Sequence, residues 1–201
     1  RIPPEEVKKW SSFSPQQLKR VYDAHVITAD YLIKNIDMAF QTWYNKPWSK
    51  YYTFDDFCEL ILPYRIEFEP LESWREDFYT HYNSILDSLY KGSDVVEATG
   101  ILGDYMLQEK YVYNTELHLP ALGGKFLLKN RVGGCREYCD LMVYAARSLG
   151  IPVSTDFYRT SPETGGSGHL WNILKDTTGT IVPFWFIEWR AERGNSDGRK
   201  K

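Results

Sequence analysis

The chain contains no run of about 18 consecutive apolar residues, so none of its segments is built to cross a bilayer as a helix. Nor does it open with a basic stretch followed by an apolar one, the pattern of an export signal. Residue 1 is arginine and not methionine, which reads as a mature or trimmed fragment whose signal, or lipid anchor, lies outside it. Cysteine is scarce, with three in 201 residues. An odd number in a chain this long excludes a disulfide framework and leaves at least one thiol free. Charge of one sign is also missing: 24 Lys and Arg stand against 27 Asp and Glu, a formal net of -3. The two signs are interspersed, which excludes the one-signed face that a nucleic-acid partner requires. No internal repeat is present.

With 43% hydrophobic and 25% charged residues, the composition is that of a soluble globular protein with one sizeable core. Aromatics reach 16%, enough to fill that core and suited also to a groove holding peptide or sugar. The expected organisation is a helical region over 1–110, a core over 111–190 packed with it as one unit, and a polar tail over 191–201 cut from a longer chain.

The first half reads as helical. Ser14-Pro15-Gln16-Gln17 supplies a cap, and Leu18, Tyr22, His25, Ala29, Leu32, Ile36, Ala39 and Trp43 follow at steps of three and four, predicting one long amphipathic helix that ends before Pro47. His25 lies on its apolar stripe and is expected to be packed or to sit at an interface. Capping boxes at Thr53-Phe54-Asp55-Asp56 and Ser73-Trp74-Arg75-Glu76 predict two more helices, with Cys58 a core residue of the first. A fourth starts near Ser93 or Asp94 and runs towards Gln108. Residues 111–134, with Pro120 and two Gly pairs, read as loop. Beyond Pro152 the period changes, predicting strands at Val153–Tyr158, Leu170–Leu174 and Thr180–Phe186, the last two joined by a turn at Asp176-Thr177-Thr178-Gly179. Residues 160–168 read as a flexible loop.

The stretch GGCREYCDLMVYAARSLGIP, residues 133–152, carries the chemistry. Two glycines allow a sharp turn, Cys135 then occupies the first turn of a helix, and Gly150 with Pro152 ends it. At that position the unpaired N–H groups and the positive end of the helix dipole favour thiolate. Cys139 sits one turn deeper and reads as a small buried hydrophobe. A thiolate needs a base. His25, His81, His118 and His169 are the four histidines, and His169 opens a strand directly after a flexible loop, where a helix N-terminus can meet it. A zinc site is set aside because Cys135 and Cys139 lack the usual two-residue spacing. A disulfide between them is disfavoured, since residues four apart on a helix hold their Cβ atoms about 5–6 Å apart.

Arg131 to Pro152, then Val153, Asp156 and GHLWNILKDTTGTIVPFW, resembles the core of the transglutaminase-like superfamily over about residues 125–190. In that family a G-x-C opens a helix ending in R-x-L-G-I-P, and an H-x-W strand carries the base. The segment FDDFCELILPYRIEFEPLESWR is similar to the helical region ahead of this core in exported proteins of gut bacteria. The resemblance implies a papain-like α+β fold in which Cys135 attacks an amide carbonyl while His169 takes and returns its proton. It implies no cofactor and no metal. The substrate would be a peptide, protein or glycan-associated amide, the acceptor water or an amine, and the oxyanion would be held by the Cys135 N–H plus a second donor.

The family usually places an Asp opposite the His to orient the imidazole. Counting back from the turn puts Phe184, Trp185 and Phe186 there, with no carboxylate; Glu188 and Asp156 are the two alternatives. The competing reading is therefore a binding module that keeps the fold without turnover. A third makes the N-terminal helices a docking platform, for which an exposed apolar patch is required.

Overall fold

The computed structural model describes residues 3–7, 19–114, 120–161 and 165–194. In chain order it contains α1 (Pro4–Val7), α2 (Ala29–Asn45), α3 (Phe54–Asp56) running into a π-helical turn (Phe57–Ile61), α4 (Arg75–Leu89), α5 (Val95–Leu107), β1 (Val112–Tyr113), α6 (Gly124–Asn130), β2 (Val132–Gly133), α7 (Cys135–Ser148), β3 (Val153–Thr160), β4 (Ser167–Lys175) and β5 (Ile181–Phe184). The fold class is α+β.

The long N-terminal helix is shorter than its periodicity predicts. Thr28 caps α2, its hydroxyl accepting the Tyr31 N–H at 3.2 Å. Ahead of it Asp23–His25 form a separate 3-10 turn, whose Asp23 carboxylate takes the Arg65 guanidinium at 2.5 and 2.7 Å. A capping side chain inside a periodic run thus starts the helix later than the stripe suggests. The Ser14 cap lies outside the described residues. His25 is exposed and meets Tyr22 edge-on at 5.9 Å, so it is not packed on a stripe.

Local caps settle the next starts. Thr53 and Asp56 form the reciprocal box of α3, and Asp94 accepts the Val96 N–H at 2.9 Å to open α5. The Ser73 box does not form: α4 starts behind Trp74 without a side-chain cap. Instead the first residue of α4, Arg75, turns inward. Its guanidinium donates to Asn35 Oδ1 at 2.9 Å and to the carbonyls of Arg147, Ile61, Leu62 and Pro63 at 2.9 to 3.2 Å. Arg147 donates likewise to the Leu60 and Arg65 carbonyls at 3.0 and 2.8 Å. Two buried cations thereby satisfy the free carbonyls after the π-helical turn. Burial lowers the Arg75 pKa to about 9 and that of Arg147 to about 10.

The stretch expected as loop over 111–134 holds α6 and a two-stranded parallel ladder. β1 pairs with β2 in the register Val112↔Val132 and Tyr113↔Gly133. Strands two residues long, with partners twenty positions apart, leave no alternating pattern to read.

β3, β4 and β5 form an antiparallel sheet in that order. Asp176 closes the β4–β5 turn, its carboxylate accepting the N–H groups of Thr178 and Thr180 at 2.8 and 2.9 Å. α7 lies against the sheet, where Asn172 donates to the Cys139 carbonyl at 3.1 Å. From Glu137 to Ser148 every residue of α7 is buried, as expected for a central helix covered on all sides. One apolar cluster joins Phe78, Leu86 and Leu102 of the helices to Met142 of α7 and Leu174 and Phe184 of the sheet. The start of the expected polar tail is packed as well: Ala191 is buried, and Arg193 bonds Asp94 and Asp176.

Candidate active site

The Cys135 position begins with a backbone constraint. Gly133 has φ +148°, and a Cβ there would lie 2.3 Å from the Glu137 Cβ. Only glycine meets both conditions. Its neighbour Gly134 donates its N–H to Glu137 at 2.8 Å, and Glu137 is held by Arg136 at 3.0 Å. This reach-back satisfies a donor at the turn and fixes the start of α7. Cys135 is consequently the first residue of the helix, half-buried, at the end where backbone N–H groups lack helical partners.

Cys139, one turn on, is fully buried with Trp171 and Trp185, and burial pushes its thiol well above the ordinary range. Cys135 packs against the edge of that cluster. The cluster is also met by His169 of β4, paired across the sheet with Tyr158. The His169 ring contacts Trp185 edge-on, centroids 4.6 Å apart. Burial lowers the imidazole's pKa, and the Glu188 charge works against that shift. The lowered pKa favours the neutral imidazole, the form a base requires. Among the described residues, no hydrogen bond joins the Cys135 thiol to the His169 ring.

The orienting group requires a correction of register. β4 and β5 pair as Lys175↔Ile181 through Asn172↔Phe184, because the turn consumes five residues, 176–180. Phe184 thus stands opposite Asn172, and the same register carried three residues further sets Ile187 against His169. The ladder stops first: Trp185 to Trp189 fold into a tight turn, with the Glu188 and Trp189 N–H groups each 2.8 Å from the Trp185 carbonyl. Trp185 is left as the side chain against the imidazole. Glu188, on this turn, is the carboxylate whose charge reaches His169. Asp156 is exposed and accepts the N–H of its neighbour Phe157 at 2.8 Å.

Sequence reasoning missed Tyr113. The β1–β2 pairing sets it beside Gly133, and its ring meets Tyr138 and Trp185 edge-on at 5.4 and 6.2 Å. Burial raises its pKa, with contributions from Cys135, Glu188 and Cys139. The Val112-Tyr113 pair was the only available signal, too short to register.

The other histidines stand apart. His81 of α4 meets Glu109 at 2.6 Å, and Glu109 also binds Arg131 at 2.6 Å. His118 lies outside the described residues. Cys58 is half-buried against a small cluster of Ala39, Phe57 and Ile61. Among the described residues, no three His, Cys, Asp or Glu side chains are grouped so as to hold a metal, and no helix is long and apolar enough to cross a membrane.

No family profile and no curated protein matches the chain. Among solved structures it is similar to the periplasmic domain of TgpA from Pseudomonas aeruginosa bound to ethylmercury, at 17% identity and TM-score 0.44 over 58% of this chain and 45% of that one. A second TgpA structure shows 19% identity and TM-score 0.38, over 59% and 44%. A "Putative Cysteine Protease" from Cytophaga hutchinsonii aligns at 11% identity and TM-score 0.45, over 87% and 48%. The chain spans less than half the length of each. In its ordered motifs, over an α+β fold, the chain resembles the transglutaminase-like superfamily.

Proposed function

We propose that the protein is a transglutaminase-like cysteine enzyme acting on amide bonds, as a peptidase, amidase or acyl transferase, with Cys135 as nucleophile and His169 as base. One observation carries this reading: the helix-start thiol and the strand histidine border the same Trp171–Trp185–Cys139 cluster. In the reaction His169 takes the thiol proton, the sulfur attacks the amide carbonyl, and the proton passes to the leaving amine. Water or a second amine then releases the acyl group. Glu188 is the group assigned to orient the imidazole, in place of a carboxylate on the strand itself. The substrate is a peptide, protein or glycan-associated amide, and the setting is outside a bacterial cytoplasm, as the resemblance in the helical segment implies.

A second reading has its own observation. Trp185, and not a carboxylate, packs its ring against the His169 imidazole, and this favours a binding module without turnover. Iodoacetamide alkylation, followed by peptide mass spectrometry across pH, decides between them. For the enzyme, Cys135 reacts roughly ten times faster than Cys58 at neutral pH, and His169→Ala abolishes the advantage. Glu188→Gln shifts the acid limb of the profile to lower pH, because the negative charge that supports the imidazolium is gone. Indifference of Cys135 to His169 leaves the binding module.

A further inference from the structure

The proposed chemistry creates a negative oxygen when sulfur adds to a carbonyl, and one backbone N–H at Cys135 is a thin provision for it. A second donor must lie near the sulfur, reach solvent and carry a proton at neutral pH. The buried neighbours fail the second condition: Trp185 is 3% exposed and its indole N–H is sealed without a partner, while the Tyr138 hydroxyl is sealed likewise. His169 is engaged as base. Tyr113 meets all three. It is 47% exposed, its ring meets Tyr138 and Trp185 edge-on, and Cys135, Glu188 and Cys139 lie near enough to act on its hydroxyl electrostatically. Its backbone is tied to the cysteine turn on both sides. The Val112 N–H donates to the Arg131 carbonyl and the Asn114 N–H to the Gly133 carbonyl, each at 2.9 Å. The backbone of Tyr113 is therefore held in register with the turn that carries Cys135, the fixed placement on which preorganised stabilisation depends.

Resting on the function proposed above, we infer that the Tyr113 hydroxyl is the second oxyanion donor of this site. As the Cys135 sulfur forms its bond to the carbonyl carbon, the carbonyl π pair moves onto oxygen, and the phenol O–H donates to that oxygen. The carbonyl then re-forms, the bond to the leaving group breaks, and the phenol keeps its proton throughout.

Two reagents separate this role from a structural one. p-Nitrophenyl acetate acylates the thiol through a tetrahedral oxyanion, with p-nitrophenolate leaving. Iodoacetamide alkylates it by displacement of iodide and forms no oxyanion. In Tyr113→Phe, which keeps the ring, acylation of Cys135 falls about 100-fold while its alkylation rate stays within about two-fold. Acetylation is assigned by the mass of the Cys135 peptide and by its absence in Cys135→Ala. Equal loss with both reagents, or loss with neither, overturns the assignment of Tyr113. If His169→Ala leaves both wild-type rates unchanged, the enzyme reading itself fails.

Discussion

Gly133 carries a demand that no other residue type meets, since its positive φ and the 2.3 Å approach to the Glu137 Cβ act together. Gly133→Ala is expected to cost about 2 kcal/mol or more of stability. It should also erase the preference of iodoacetamide for Cys135, because α7 no longer starts in the same place. Urea unfolding and peptide mapping check the two effects separately. The places of that glycine and of the cysteine were legible in the sequence because each is defined by its immediate neighbours, a turn and a helix start; His169 does not open its strand as the sequence suggests but lies inside it, β4 beginning at Ser167. The identity of the residue against the imidazole was not legible. It depends on where a turn ends, and a five-residue loop closed by Asp176 shifts every later partner along the strand. Tyr113 was hidden for a related reason, since its place comes from pairing with a residue twenty positions away.

Helix starts at Thr53 and Asp94 could be read because a cap is a local bond between residues two or three apart. The beginning of α2 could not, because an unbroken apolar stripe conceals a threonine that caps inside it. Least legible of all was the joint between α2, the π-helical turn, α4 and α7, which depends on two buried cations, Arg75 and Arg147. Arg75 joins Asn35, the carbonyls of 61–63 and the end of α7 in a single set of bonds. Arg75→Met keeps the bulk of the side chain but leaves these buried acceptors without donors, and should cost about 3 kcal/mol. For a chain of this size that corresponds to a fall in Tm of roughly 6–12 °C. A scan showing no change would mean that water or Arg147 takes over the carbonyls.

Over the whole molecule, the helical first half and the sheet share one apolar cluster, and this sharing brings a carboxylate where none is comfortable. Asp140 of α7 is buried, and burial first, with the charges of Glu67, Glu137 and Glu69 added, raises its pKa well above the usual value. A folded-state value above the unfolded one means that the native state holds the extra proton. The associated stability is complete below about pH 4 and is lost as pH rises through the native pKa. Asp140→Asn mimics the protonated form, so it should raise Tm at neutral pH and change little in acid. Melting curves over a pH series test the sign directly.

α7 has a dynamic consequence. Its hydrogen-bonded amides from Tyr138 to Ser148 belong to buried residues, so their hydrogen exchange should proceed only through global unfolding and rank among the slowest in the chain. Cys135 is mounted on the end of the part that opens last. Whatever give a substrate needs must come from the short β1 strand and the Trp185–Trp189 turn, whose amides should exchange through local opening with far smaller free energies.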